Sequence, residues 1–241
     1  MAYEERKYRR LIKSGELVKF NVVDKETDLL VLASRDLKKE SLASISKYRA
    51  EIESYIGTDP LFITAFRPYR VRFKAPNIIK DMARAARRTK VGPMAAVAGA
   101  VAEYVGRDLL KHSKEVIVEN GGDIFMKIDK PKKIGIYAGK SPFSNKIAIE
   151  IEPKETPIGV CTSSGTVGHS RSFGKADAVV VKAKSTALAD AAATAIGNII
   201  KSPVDLDAGL KLAKKIRGLK GALIIKDDYI GAWGRVKIVP M

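Results

Sequence analysis

The sequence predicts an α+β fold, a largely antiparallel or mixed sheet flanked by helices. Apolar residues alternate with period two in many short runs bounded by turn residues, and five stretches switch to helical spacing. Hairpin-like strand pairs outnumber strand-helix-strand alternation, which argues against a doubly wound parallel sheet.

Residues 18–23 and 28–33 read as a hairpin joined by the polar Asp24-Lys25-Glu26-Thr27. Leu37, Leu42, Ile45, Tyr48, Ile52, Tyr55 and Ile56 then recur at helical spacing, and Gly57 with Asp59-Pro60 supplies the stop. Arg70, Arg72 and Lys74 alternate with Val71 and Phe73, which predicts a short extended segment whose apolar face packs. Pro76 opens a helix with Ile78, Ile79, Met82 and Ala86 inward and Lys80, Arg84, Arg87 and Arg88 in an outward stripe. A Gly/Ala-rich helix starts at Gly92-Pro93. Strand-like runs follow at 115–119, 124–128, 133–138, 146–151, 158–162 and 177–183, then helices at 187–200 and 207–217, then strands at 221–226 and 235–239. The expected organisation is a single domain over 1–241, with residues 1–35 a β-hairpin extension within it.

The chain has 241 residues and a net charge of +17, with one cysteine and two histidines. A lone Cys161 allows no disulfide within the chain. The charged residues 1–10 lack the apolar stretch of a secretory signal, and no run is long enough to span a membrane, so a cytoplasmic protein is expected. Residues 67–90 hold nine bases against one acid. That surplus suits a phosphorylated ligand or, in a reading from another class, a nucleic-acid-binding module on this surface. Sparse aromatic residues, 7% of the chain, place nucleic acid behind the small ligand. A solvated helix face is the plainer alternative for most of these charges.

Four segments carry candidate chemistry. The helix start around Gly92, Pro93 and Met94 leaves backbone N–H groups for an anion, although small apolar residues also serve tight packing. Asn120-Gly121-Gly122-Asp123 lies between two apolar runs and reads as a hairpin turn or as a backbone cradle for a ligand. Thr162, Ser163, Ser164 and Gly165 at a strand end suit phosphate, and the nearby His169 suits an anion or a proton transfer. Cys161 pairs with His169 as a nucleophile in one reading and is an inert buried thiol in the other. Asp190 and Thr194, four apart on a helix, place a carboxylate and a hydroxyl on one face as hard ligands for Mg²⁺, or serve only local helix chemistry.

In this order, Val91-Gly92-Pro93-Met94-Ala95-Ala96-Val97-Ala98-Gly99, Glu119-Asn120-Gly121-Gly122-Asp123, Cys161-Thr162-Ser163-Ser164-Gly165 and Ala189-Asp190-Ala191 resemble the cytoplasmic branch of the ApbE-like superfamily. The enzymes of that superfamily are Mg²⁺-dependent transferases that take FAD and pass FMN to a Thr or Ser hydroxyl of an acceptor protein. The resemblance implies that Asp190 and Thr194 supply metal ligands and catalysis, that Ala95 offers a backbone carbonyl to the metal, and that His169 assists the acceptor. It also implies a flavin or other pyrophosphate ligand held by Gly92, Met94, Asn120, Gly121, Gly122, Asp123, Thr162, Ser163, Ser164 and Gly165, with Arg84, Arg87 and Arg88 offsetting its charge. A homodimer is the expectation for assembly. The chain departs from the transferases at Ala96, where they carry Lys, and at Ser170-Arg171-Ser172-Phe173-Gly174, where they carry Asp-Pro-x-Thr-Gly. A member of the family fold without turnover is therefore a third reading.

Overall fold

The computed structural model describes residue 9 and residues 15–165 and 173–241. The predicted hairpin forms from β1 (Val18–Asp24) and β2 (Thr27–Ala33), paired antiparallel through a tight turn with Lys25 at positive φ. The period change after it gives α1 (Lys38–Thr58), and the short α2 (Leu61–Thr64) follows Pro60. Residues 65–76 carry no regular structure, so the expected extended segment is not a strand. Val71 packs against the helix-side core, whereas Phe73 is 93% exposed with the Lys80 ammonium 5.8 Å from its ring centroid, so only half of the expected apolar face packs.

Pro76 caps α3 (Asn77–Thr89), whose Ile78, Ile79, Met82 and Ala86 are buried as the spacing predicts. The Gly/Ala-rich segment begins with a 3₁₀ turn, Pro93–Ala96, and continues as α4 (Val97–Leu109). Strands β3 (Val116–Asn120), β4 (Asp123–Lys127), β5 (Lys132–Gly135), β6 (Ile147–Ile151), β7 (Ile158–Ser163) and β8 (Ala178–Ala183) follow. The chain closes with α5 (Thr186–Ile199), α6 (Leu206–Lys215), β9 (Leu219–Lys226), β10 (Tyr229–Gly234) and β11 (Lys237–Pro240). Strand β10 is absent from the sequence reading because Gly231 and Gly234 interrupt its alternation.

Among the described residues, eight strands form one antiparallel sheet in the order β1-β2-β3-β4-β7-β8-β9-β10, and β11-β6-β5 form a second. The α+β expectation holds, with all pairings antiparallel. Strand alternation divides the buried residues between two cores. In β8, Val179, Val181 and Ala183 face the helices, while Ala178 and Val180 face the small sheet with Ile149, Ile151, Ile158 and Ile225. Lys182 lies buried on that second side, where its ammonium pairs with Glu155 at 2.8 Å. The eight-stranded sheet is thus a middle layer, and the hairpin of β1 and β2 is its edge, contributing Phe20, Leu29 and Val31 to the helix-side core.

Candidate functional site

The four candidate segments meet where α4 and α5 cross above β4 and β7. Gly121 and Gly122 form a two-residue hairpin loop with φ of 65° and 99°, and Asn120 pairs with Asp123 across it. The hairpin-turn reading describes this geometry, and the turn's side chains are committed. The Asn120 amide donates to the Ala98 carbonyl at 3.1 Å, and the Gly122 N–H donates to Glu119 Oε1 at 2.8 Å. Glu119 is held in turn by the buried Arg9, whose Nε donates to Oε2 at 2.5 Å while its Nη1 reaches Asp28 at 2.7 Å.

Helices α4 and α5 approach closely because of small residues. A Cβ on Gly99 would lie 2.6 Å from the Thr186 carbonyl oxygen and 2.8 Å from Asp190 Cβ, so any larger residue forces the helices apart. Alanines at 187, 189, 191, 192, 193 and 195 bury the surrounding surface of α5. The two helices cap each other. Asp190 Oδ2 accepts the Gly99 N–H at 2.8 Å in the first turn of α4, and Glu103 Oε2 accepts the Thr186 N–H at 2.7 Å in the first turn of α5. Glu103, 4% exposed, has no place in the sequence reading. As the sole acid between Val91 and Arg107 in an apolar stretch, it carried a signal that periodicity alone discards.

Below this crossing lie two carboxyl groups and a thiol. Asp123 sits opposite Cys161 in the β4/β7 register, so both side chains share the face under α5. The Cys161 thiol donates to the Thr186 carbonyl at 3.4 Å. Burial pushes the Asp190 carboxyl up to about 7, against the opposing N–H groups of Gly99 and Ala98. Burial first and the Asp190 charge second push Asp123 well above the usual carboxylate range. Cys161 is raised well above an ordinary thiol by burial and by the same two carboxylates. It stays protonated at neutral pH, which favours the inert reading over the nucleophile.

These shifts carry a stability consequence. Both carboxyls bind a proton more tightly in the folded chain than in the unfolded chain, whose aspartates titrate near ~4. Their contribution is full below that pH and is lost as pH rises, through about 7 for Asp190. In metal-free protein the unfolding midpoint is expected to fall between roughly pH 4 and about 7, and Asp190→Asn to flatten that fall. Thermal scans across this range check it; an Asp190→Asn slope equal to wild type contradicts it.

Other predicted residues are distributed as follows. Thr194 is half-buried one turn beyond Asp190 on α5, and Ala95 and Met94 are half-buried in the 3₁₀ turn that packs on α5. Gly92 is buried, and a Cβ there would meet the Ala65 carbonyl at 1.7 Å, so its smallness serves chain packing. Thr162 and Ser163 end β7, with the Thr162 carbonyl 3.7 Å from where a Gly122 Cβ would stand. The Ser164 hydroxyl and the Gly165 N–H both bond the Ala176 carbonyl. Arg84 is tied to Asp81, while Arg87 and Arg88 are exposed in the last turn of α3. His169 lies outside the described residues, as does the Ser170-Arg171-Ser172 departure. Among the described residues, no three His, Cys, Asp or Glu side chains gather into a metal cluster. No described helix is long and apolar enough to cross a membrane.

The family model described as AbpE bacteria matches residues 9–219. The chain belongs to that family. A UPF0280 protein of Methanosarcina acetivorans is 42% identical over 195 residues, 80% of this chain and 77% of its own. A UPF0280 protein of Methanospirillum hungatei is 47% identical over 178 residues, 73% and 72% of the two chains. The AbpE-family chain also shares its fold with solved structures. A flavin transferase ApbE from Vibrio cholerae superposes with a TM-score of 0.62 at 15% identity, covering 90% of this chain and 96% of that one. An apo flavinyl transferase ApbE from Pseudomonas stutzeri gives 0.55 at 14%, covering 90% and 94%. The resemblance drawn from the four segments thus holds at the level of family and fold.

Proposed function

We propose that this AbpE-family chain binds a flavin nucleotide, with FAD the first candidate, through a pyrophosphate-bound Mg²⁺ at Asp190, Thr194 and the Ala95 carbonyl. The observation that carries the reading is the paired acidic floor of Asp190 and Asp123, with an unpartnered buried oxygen on Asp123, between glycine-rich backbone segments. Such a donor set is all oxygen and negatively charged, which fits a hard divalent cation. When bound, Mg²⁺ neutralises pyrophosphate charge and polarises phosphorus toward attack.

The chain's own residues have separate tasks. Asp190 is held in place by the Gly99 N–H, so its carboxylate is oriented before any ligand arrives. Thr194 presents its hydroxyl from the same face of α5. The Gly121–Gly122 turn and the Thr162–Ser163–Ser164 strand end offer backbone and hydroxyl donors to the nucleotide beside them. In this reading, His169 accepts the proton of an attacking hydroxyl if an acceptor protein is used. Arg87 and Arg88 attract the diphosphate, and Arg84, already paired with Asp81, contributes less.

A second reading, nucleotide binding without transfer, is favoured by one observation. Ala96 is fully buried where the transferases carry Lys, so no side-chain cation projects from that position. Flavin fluorescence and calorimetry with FAD and Mg²⁺ test binding, and release of AMP from FAD separates transfer or hydrolysis from binding alone. Saturable, Mg²⁺-dependent binding is expected; none by either readout contradicts the flavin reading. Removing the charges of Arg87 and Arg88 is expected to weaken FAD more than removing those of Lys211 and Lys214. Equal losses would reduce the arginines to general surface charge.

A further inference from the structure

We propose that Asp123 is itself a ligand of the divalent cation, so that one ion is held jointly by the carboxylates of β4 and α5. This deepens the reading above and rests on it. The register of β4 on β7 turns the Asp123 side chain to the face covered by α5, beside Cys161, whose sulfur lies against the Thr186 carbonyl one turn before Asp190. Asp123 is 6% exposed, and its Oδ1 has no hydrogen-bond partner. Its carboxyl is reached by the Thr162 N–H and by the Cys161 thiol, and the charges acting on it, Asp190 and Glu119, are both negative. The buried arginine of this region, Arg9, is engaged by Asp28 and Glu119.

A carboxyl group buried beside a second one, with a free oxygen and no cation, is costly to ionise. A divalent cation between the two removes the like-charge conflict and satisfies the unpartnered oxygen at once. With the Thr194 hydroxyl and the Ala95 carbonyl of the proposed site, the two carboxylates make an all-oxygen donor set that selects Mg²⁺ or Mn²⁺. Asp123 is also fixed where a ligand has to be. The Gly121–Gly122 loop ends at it, and Asn120 and Glu119 pin that loop to α4 and to Arg9.

Mn²⁺ alone provides the probe, with free ion read by electron paramagnetic resonance on the metal-free full chain and thermal unfolding followed in parallel. Asp123→Asn is expected to weaken Mn²⁺ by at least about tenfold while its metal-free unfolding midpoint is no lower than wild type. Asp123→Ala gives the same loss and stands in if the asparagine variant does not fold. If Asp123→Asn binds Mn²⁺ as tightly as wild type while Asp190→Asn has lost it, this inference alone is overturned. Lost binding accompanied by a lowered metal-free midpoint assigns Asp123 a structural role and also overturns it. If wild type binds no Mn²⁺, or Asp190→Asn binds as wild type does, the underlying site reading falls with it.

Discussion

Replacing Asp190 by asparagine is expected to weaken Mg²⁺-dependent FAD binding by about a hundredfold while leaving the chain folded. Asparagine keeps an oxygen for the Gly99 N–H, so the capping contact that Asp190 makes at 2.8 Å survives. What it removes is the negative charge that a hard cation requires. It also removes one of two buried like charges, so metal-free protein near pH 8 should gain stability relative to wild type. Losing affinity while gaining stability distinguishes a ligand from a cap. Alanine would remove both, at an additional cost of about 1 kcal/mol for the lost cap. Calorimetry with FAD and Mg²⁺ beside thermal unfolding checks the pair of effects, and unchanged affinity in Asp190→Asn contradicts the assignment.

Glu103→Ala should give the largest loss of stability among the residues that organise this crossing. Glu103 Oε2 takes the Thr186 N–H at 2.7 Å and lies 3.4 Å from both the Ala187 N–H and the Ser185 hydroxyl, while Oε1 pairs with Arg107. Truncation leaves the start of α5 with a buried, unpaired N–H and opens space beneath it. A loss of about 2–4 kcal/mol is expected. For a chain of this size it lowers the unfolding midpoint by roughly 5–10 °C. Glu103→Gln, which keeps an acceptor, should lose clearly less. Equal losses for Ala and Gln would mean that charge and not the hydrogen bond matters there.

The elements that the sequence displayed well are those whose side chains face one layer. Strand β1 and helices α1, α3 and α6 expose one side and bury the other, so period alone locates them. The division of strands between two sheets was not legible, because β7, β8 and β9 are buried on both faces and read as continuous apolar runs. Strand β10 was lost to its glycines. The segment around Phe73 alternated as a strand does, yet no neighbouring strand pairs with it.

The site divides similarly. Spacing on one helix brought Asp190 and Thr194 together, and dipeptide chemistry identified the Gly121–Gly122 turn. Pairings across 67 residues, such as Asp123 with Asp190, or across 110, such as Arg9 with Glu119, leave no local pattern. Arg9 sits among similar charged residues at 1–10, and only tertiary structure reveals that it is buried. Glu103 was not singled out because helix periodicity cannot tell an exposed carboxylate from one capping a neighbouring helix.

A crystal structure grown with FAD and Mn²⁺, read through the anomalous signal of the metal, tests the central claim most directly. An anomalous peak within coordination distance, about 2.1–2.3 Å, of an Asp190 carboxylate oxygen, with the pyrophosphate beside it, is the predicted result. FAD bound with no metal near Asp190, or a metal held elsewhere on the chain, would contradict it.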